Sequence, residues 1–281
     1  MQAPDGRLSG GGGVAAWRTV AVFYAAIGLV VNTISALSVK ELPEEELNEG
    51  GQTTTQENYG PIQAFKLLLK NKFYMMICGT YILQQLYNAM IGAGIYYFTW
   101  VLGNKNLFGV FAWAVNIPLI IALVFTPTLV GKWKGMYKLN LRGYILAVIG
   151  RALVVVAGYL GNVPLMMLFT AVAALGQGPW QGDMNAVIAS CSEYTYLTQG
   201  KRVDGTMYSC TSLGVKIGGG IGTAVVGWLL EISGYVGKNP TQPASALTML
   251  QVMYLWIPFI IEILITIVLS KMNVEATNEK I

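Results

Sequence analysis

The stretch Phe108–Val130, FGVFAWAVNIPLIIALVFTPTLV, contains no Asp, Glu, Lys or Arg. A helix rises 1.5 Å per residue, so roughly 20 such residues cross a hydrocarbon layer about 30 Å thick. The stretch therefore reads as a transmembrane helix. Working outward, similar runs occur at 19–39, 73–102, 141–160 (interrupted by Arg151), 163–189 (with Asp183 inside), 206–230 (with Lys216 inside) and 244–270 (with Glu262 inside). They are long and continuous, not short and alternating, which points to helices and away from barrel strands. The composition agrees: 54% of residues are hydrophobic and 11% charged, against roughly 25% charged in soluble domains. The expectation is an all-α membrane protein with seven transmembrane helices.

The basic residues sort these helices. Twelve lie on one side: Lys40, Lys66, Lys70, Lys72, Lys132, Lys134, Lys138, Arg142, Lys201, Arg202, Lys271 and Lys280. Arg7, Arg18, Lys105 and Lys238 lie on the other. By the positive-inside rule the larger set is cytoplasmic, in an inner (cytoplasmic) membrane, with the amino terminus out and the carboxyl terminus in. Glu41, Glu44, Glu45, Glu46, Glu49 and Glu57 stand among Gly, Thr, Gln and Asn, the composition of a linker. The chain then divides into a lead and lone helix (1–39), an acidic cytoplasmic linker (40–61), a six-helix bundle (62–270) and a tail (271–281). After the linker, Ile62, Phe65, Leu68 and Leu69 alternate with lysines at helical spacing, as in a short interfacial helix or a solvated lead-in. The six bundle helices form two sets of three that start on opposite sides, the topology of an inverted repeat.

The absence of His removes the usual zinc ligand, and the three cysteines form no CxxC motif, so metal-dependent hydrolysis is disfavoured. No metal or cofactor is expected, and no nucleic-acid partner. Candidate function rests instead on polar groups at membrane depth, where charge is costly and faces a cavity or a partner. Lys216 sits near the middle of its span, too deep to snorkel; its structural alternative is an ion pair with Asp183 or Glu262. Asp183 follows GQGPWQG (176–182), read here as a helix break of the kind that lines cavities. Trp180 there could stack on an apolar sugar face while Gln181 and Asn185 hydrogen-bond hydroxyls; a packed kink is the alternative. Tyr81, Gln84 and Asn88 share a helix face by their spacing, which suits either a cavity lining or interhelical hydrogen bonds. Gly214, Gly218 and Gly222 repeat every four residues, the pattern of close helix packing.

Several loop and helix motifs resemble one family. QGKRVDG (199–205), Tyr208-Ser209, Val215-Lys216 and the glycine run ending in GWLL (227–230) and Gly234-Tyr235 closely resemble the glycoside-pentoside-hexuronide:cation symporters of the major facilitator superfamily. AFK (64–66) with LKNK (69–72), GKWK (131–134) and Ala244–Leu247 with Pro258 extend the resemblance over about residues 15–275. It implies a lone helix corresponding to the family's sixth, followed by a major-facilitator half bundle of helices seven to twelve. By resemblance Lys216 matches the family's functional lysine, with Thr211, Ser212 and Val215 as sugar-side neighbours and Trp180 close to its tenth-helix tryptophan. Arg202, Asp204, Lys132 and Arg142 fall where a cytoplasmic gate is expected.

The resulting expectation is the carboxyl-terminal portion of a sugar:cation symporter working by alternating access. Its partners would be a sugar or glycoside, a monovalent cation (sodium or proton), the bilayer, and a separate chain if one supplies the missing helices. The coupling ion would bind in those helices. A seven-helix receptor or retinal-type protein using Lys216 as the Schiff-base lysine is the main rival, and a nonfunctional transporter fragment the third reading.

Overall fold

The computed structural model describes residues 14–38, 66, 68–200 and 204–281. All regular structure among them is helical. Two compact units, 1–57 and 58–281, are separable by their internal contacts. The first contains α1 (Val14–Ser38), 25 residues without an acidic or basic residue in its terminal turns.

The second unit begins its helices with α2 (Lys72–Gly92) and α3 (Gly94–Trp100). Asn71 fixes the start: its side chain accepts from Phe73 N and Tyr74 N at 2.9 and 3.1 Å, satisfying two of the donors that a helix start leaves free. The same side chain donates to Cys191 O and Thr195 Oγ1 at 2.8 and 2.7 Å. Next come α4 (Leu107–Trp133), α5 (Met136–Tyr159) and α6 (Val163–Gln199). A one-turn α7 (Asp204–Met207) precedes α8 (Ser209–Ile232). The last rod is α9 (Ala244–Gln251), a π turn at Val252–Trp256 and α10 (Ile257–Ser270), followed by the tail helix α11 (Val274–Asn278).

Six helices among the described residues are long and apolar enough to cross a membrane: Arg18–Ser38, α4, α5, α6, Thr211–Ile232 and the rod from Ala244 to Asn278. The expected span at 73–102 is not among them. It breaks at Ala93 into α2 and α3, and α2 carries Tyr81, Gln84, Gln85, Tyr87 and Asn88, whose polarity offsets its apolar half. The expected break within 176–182 is likewise absent, since α6 runs unbroken for 37 residues through Pro179. The glycines there are contact points instead of joints. A Cβ on Gly176 would meet the backbone of Gly143 and Ala147 on α5, and one on Gly182 would stand 3.1 Å from Thr126 on α4. At 1.5 Å per residue α6 is about 55 Å long, so it outruns the hydrocarbon layer. Of the lead-in at 62–72, Leu68 is buried and Leu69 exposed, while Ile62 and Phe65 lie outside the described residues.

Neighbour relations in the second unit follow a rule. Helix α2 packs on α8, and α4 on α6; α5 packs on α6 as α10 packs on α2; α5 and α10 also meet. Exchanging α2, α4 and α5 for α6, α8 and the α9–α10 rod maps these pairs onto themselves, which is what an inverted repeat produces. The four helices related in this way as first or third members, α2, α5, α6 and α10, surround the centre of the bundle.

Candidate functional site

At that centre lies a buried polar cluster. Arg151 on α5 and Glu262 on α10 are each 1% exposed, with Arg151 Nε 3.6 Å from Glu262 Oε1. Arg151 Nη2 donates to the hydroxyl of Tyr87 on α2, and the guanidinium lies 5.2 Å from the centre of the same ring. Gln177 on α6 donates to Glu262 Oε1 at 2.6 Å and to the Tyr87 hydroxyl at 3.0 Å. Each central helix thus contributes one member, and the opposite charges of the pair offset what would otherwise be a prohibitive desolvation. The sequence marks Arg151 and Glu262 only as charges inside spans and gives no sign of Gln177, because their partners lie on other helices. The one available signal was that a charge at membrane depth faces a partner or a cavity.

Two further polar layers follow along the same helices. Tyr144 donates to Gln84 Oε1 at 3.0 Å. Asn140 donates to both carboxylate oxygens of Asp183 at 2.9 and 3.0 Å. Asp183 and Glu262 are therefore engaged within the bundle, and neither pairs with Lys216.

Lys216 is exposed on α8, as are Ser212 and Val215, with Thr211 half-buried and its hydroxyl donating to Tyr208 O at 2.8 Å. Helix register fixes the depth of this face. A Cβ on Gly214 would collide with Tyr81, and one on Gly218 would stand 2.8 Å from Ile82 Cα and 2.9 Å from Gln85 Cβ, so Lys216 lies at the level of Tyr81–Gln85. Through Tyr144, Gln84 is level with Gly143, whose Cβ would lie 3.5 Å from Pro179 Cγ on α6. Lys216, Gln84 and Gln181 therefore share one depth on three helices. Gln181 is exposed and Gln84 half-buried. Asn88 and Asn185, both exposed, lie a turn to opposite sides of that level. Trp180, by contrast, is 1% exposed and packed in the largest buried cluster, and Asp183 is buried beside it.

Of the residues expected at a gate, Lys132 is exposed in the last turn of α4, and Arg142 stacks 4.7 Å over the Trp133 ring. Arg202 and the side chain of Asp204 lie outside the described residues. Among the described residues no three His, Cys, Asp or Glu side chains cluster as a metal would require.

A family model described as MFS/sugar transport protein matches residues 7–276. The chain belongs to this sugar-transport family. Relatives of this family include the isoprimeverose transporter of Lactiplantibacillus pentosus, 28% identical over 246 residues, which cover 87% of this chain and 49% of the relative. The glucuronide carrier protein homolog of Escherichia coli K12 is 27% identical over 64% of this chain and 39% of its own length. The raffinose carrier protein of Pediococcus pentosaceus is 28% identical over 75% of this chain and 32% of its own. The chain spans about half or less of the length of these sugar-transport relatives. Membership confirms the resemblance to the glycoside:cation symporter type, supports a multi-pass membrane setting, and favours the symporter over the receptor reading.

Proposed function

We propose that this chain is the carboxyl-terminal portion of a sugar:cation symporter and contributes half of the sugar cavity. The observation that carries the reading is the exposed ammonium of Lys216 at mid-helix, level with Gln84 and Gln181. An uncompensated charge there faces water, substrate or a second bundle instead of lipid. Thr211, Ser212, Val215, Asn88 and Asn185 complete the sugar-facing set, with Trp180 and Asp183 supporting it from beneath. In this reading α2 is the seventh span, its polar side turned to the cavity. The carboxyl terminus faces the cytoplasm, where Arg202, Asp204, Lys132 and Arg142 form the gate. The coupling sodium or proton binds in helices outside this chain, and alternating access arises because cation and sugar bias one shared equilibrium between two bundle arrangements.

The test is uptake into vesicles. The chain alone gives no cation-dependent accumulation against a gradient, whereas co-expression with the amino-terminal half of a family member restores it. In that restored transporter Lys216→Ala abolishes uptake at normal membrane expression, and Lys216→Arg does not recover full activity, because a planar fork cannot replace a compact ammonium. Uphill uptake by the chain alone, or normal uptake by Lys216→Ala, overturns the reading.

A further inference from the structure

At the end of the second unit where α5 begins and α10 finishes, the tail folds back over the bundle. Glu275 on α11 accepts from Met136 N and Tyr137 N at 3.2 and 3.0 Å, capping the start of α5. Asn278 donates to Ser190 O on α6 at 2.9 Å, and Tyr137 donates its hydroxyl to Ser270 O at 2.8 Å. Val274 and Met272 are buried against the core. The tail helix is thereby held by α5 and α6.

Beneath it is a cavity of ≈ 10 Å³, lined among others by Asn140, Trp180, Val187, Leu269, Val274 and Glu275. Two of these side chains present opposite halves of a hydrogen bond. Trp180 Nε1 and Asn140 Oδ1 are both buried without a partner among the described residues. Trp180 is 1% and Asn140 3% exposed. Because the Asn140 amide directs its NH₂ at Asp183, its carbonyl oxygen is turned away from that carboxylate. Trp180 can only donate and this oxygen can only accept, so a direct bond would satisfy both, yet none forms. Buried polar atoms in folded proteins nearly always find a partner, and a polar cavity of roughly 10–15 Å³ takes one water.

We propose that this cavity is a binding site for one water molecule and that α11 is its lid. The water accepts from Trp180 Nε1 and donates to Asn140 Oδ1 and to the Glu275 carboxylate. It completes a chain, Trp180–water–Asn140–Asp183, that fixes the intramembrane acid of α6, and through Glu275 it ties that chain to the cap of α5. Lifting the tail removes the Glu275 cap and opens the chain to bulk water.

The test uses the purified full chain with labelled tryptophans, whose seven indole signals include that of Trp180, assigned by its loss in Trp180→Phe. The indole proton of Trp180 is expected to exchange slowly with D₂O and to show cross-relaxation to a bound water. Val187→Phe, which fills the cavity, removes the cross-relaxation. Glu275→Ala, which loses charge-assisted bonds to the lid, accelerates indole exchange about tenfold or more. A slowly exchanging Trp180 indole without a water signal overturns the site from the unmodified protein alone. Unchanged exchange in a folded Glu275→Ala protein overturns the lid. Neither measurement needs sugar or a second chain.

Discussion

Arg151 and Glu262 illustrate how membrane burial turns single residues into pairs. Neither charge tolerates the interior alone, and their attraction is supplemented by Tyr87 and Gln177, which occupy Arg151 Nη2 and Glu262 Oε1. Removing one partner leaves the other uncompensated, so Arg151→Met or Glu262→Leu alone is expected to destabilise the bundle by about 3–5 kcal/mol. Replacing both by Met should cost less than either single change, since Tyr87 and Gln177 remain bonded to each other at 3.0 Å. Thermal unfolding of the purified chain measures this. A double variant weaker than both singles would show that the pair is not the stabilising unit. The sequence showed that these charges must be partnered or wet; which alternative holds depends on packing between helices far apart along the chain. Lys216 shows the opposite case, a charge legible at mid-span that the described bundle leaves exposed.

Helix packing at the α2–α8 contact depends on particular glycines. A side chain on Gly218 would press on Ile82 and Gln85 within 3.0 Å, whereas Gly219 has open space around its Cβ direction. Gly218→Leu should therefore force the helices apart and cost about 1–3 kcal/mol, while Gly219→Leu stays within about 0.5 kcal/mol of the unmodified chain. Equal effects from both, in unfolding of the purified protein, would remove the close-approach explanation. The four-residue glycine spacing made this contact readable beforehand. The helices themselves were also largely readable: the run at 108–130 lies inside Leu107–Trp133, and that at 206–230 overlaps Ser209–Ile232. The same residue type misled within α6. Pro179 lacks an N–H, and flanking glycines suggest a break, but Gly176 and Gly182 are held against α5 and α4, so tertiary packing keeps the helix continuous. Beside a proline, the local pattern does not distinguish a glycine that bends from one that packs. The π turn at Val252–Trp256 likewise interrupts an apolar run that gave no sign of it.

At the scale of the whole molecule, the expected topology rests on two independent lines. Basic residues divide twelve to four between the two sides, and the glycine contacts make α4 run parallel to α6 and α2 parallel to α8. The turns after α4 and α6 consequently lie at one end of the bundle and the turn after α8 at the other. Because α2 runs parallel to α8, Lys72 at its start lies at the same end of the bundle as the turns after α4 and α6. Hydropathy does not mark α2 as a span because Tyr81, Gln84, Gln85, Tyr87 and Asn88 offset its apolar residues. Sidedness can be measured once Cys78, Cys191 and Cys210 are replaced. Single cysteines at Lys134 and Lys201 should be shielded from an impermeant thiol reagent in intact cells and react after permeabilisation, while one at Lys238 should react in both. Labelling of the Lys134 position in intact cells would invert the bundle. Equal labelling at Lys134 and Lys238 would mean that the two turns share a side, so that α5, α6 and α8 would not be three single crossings.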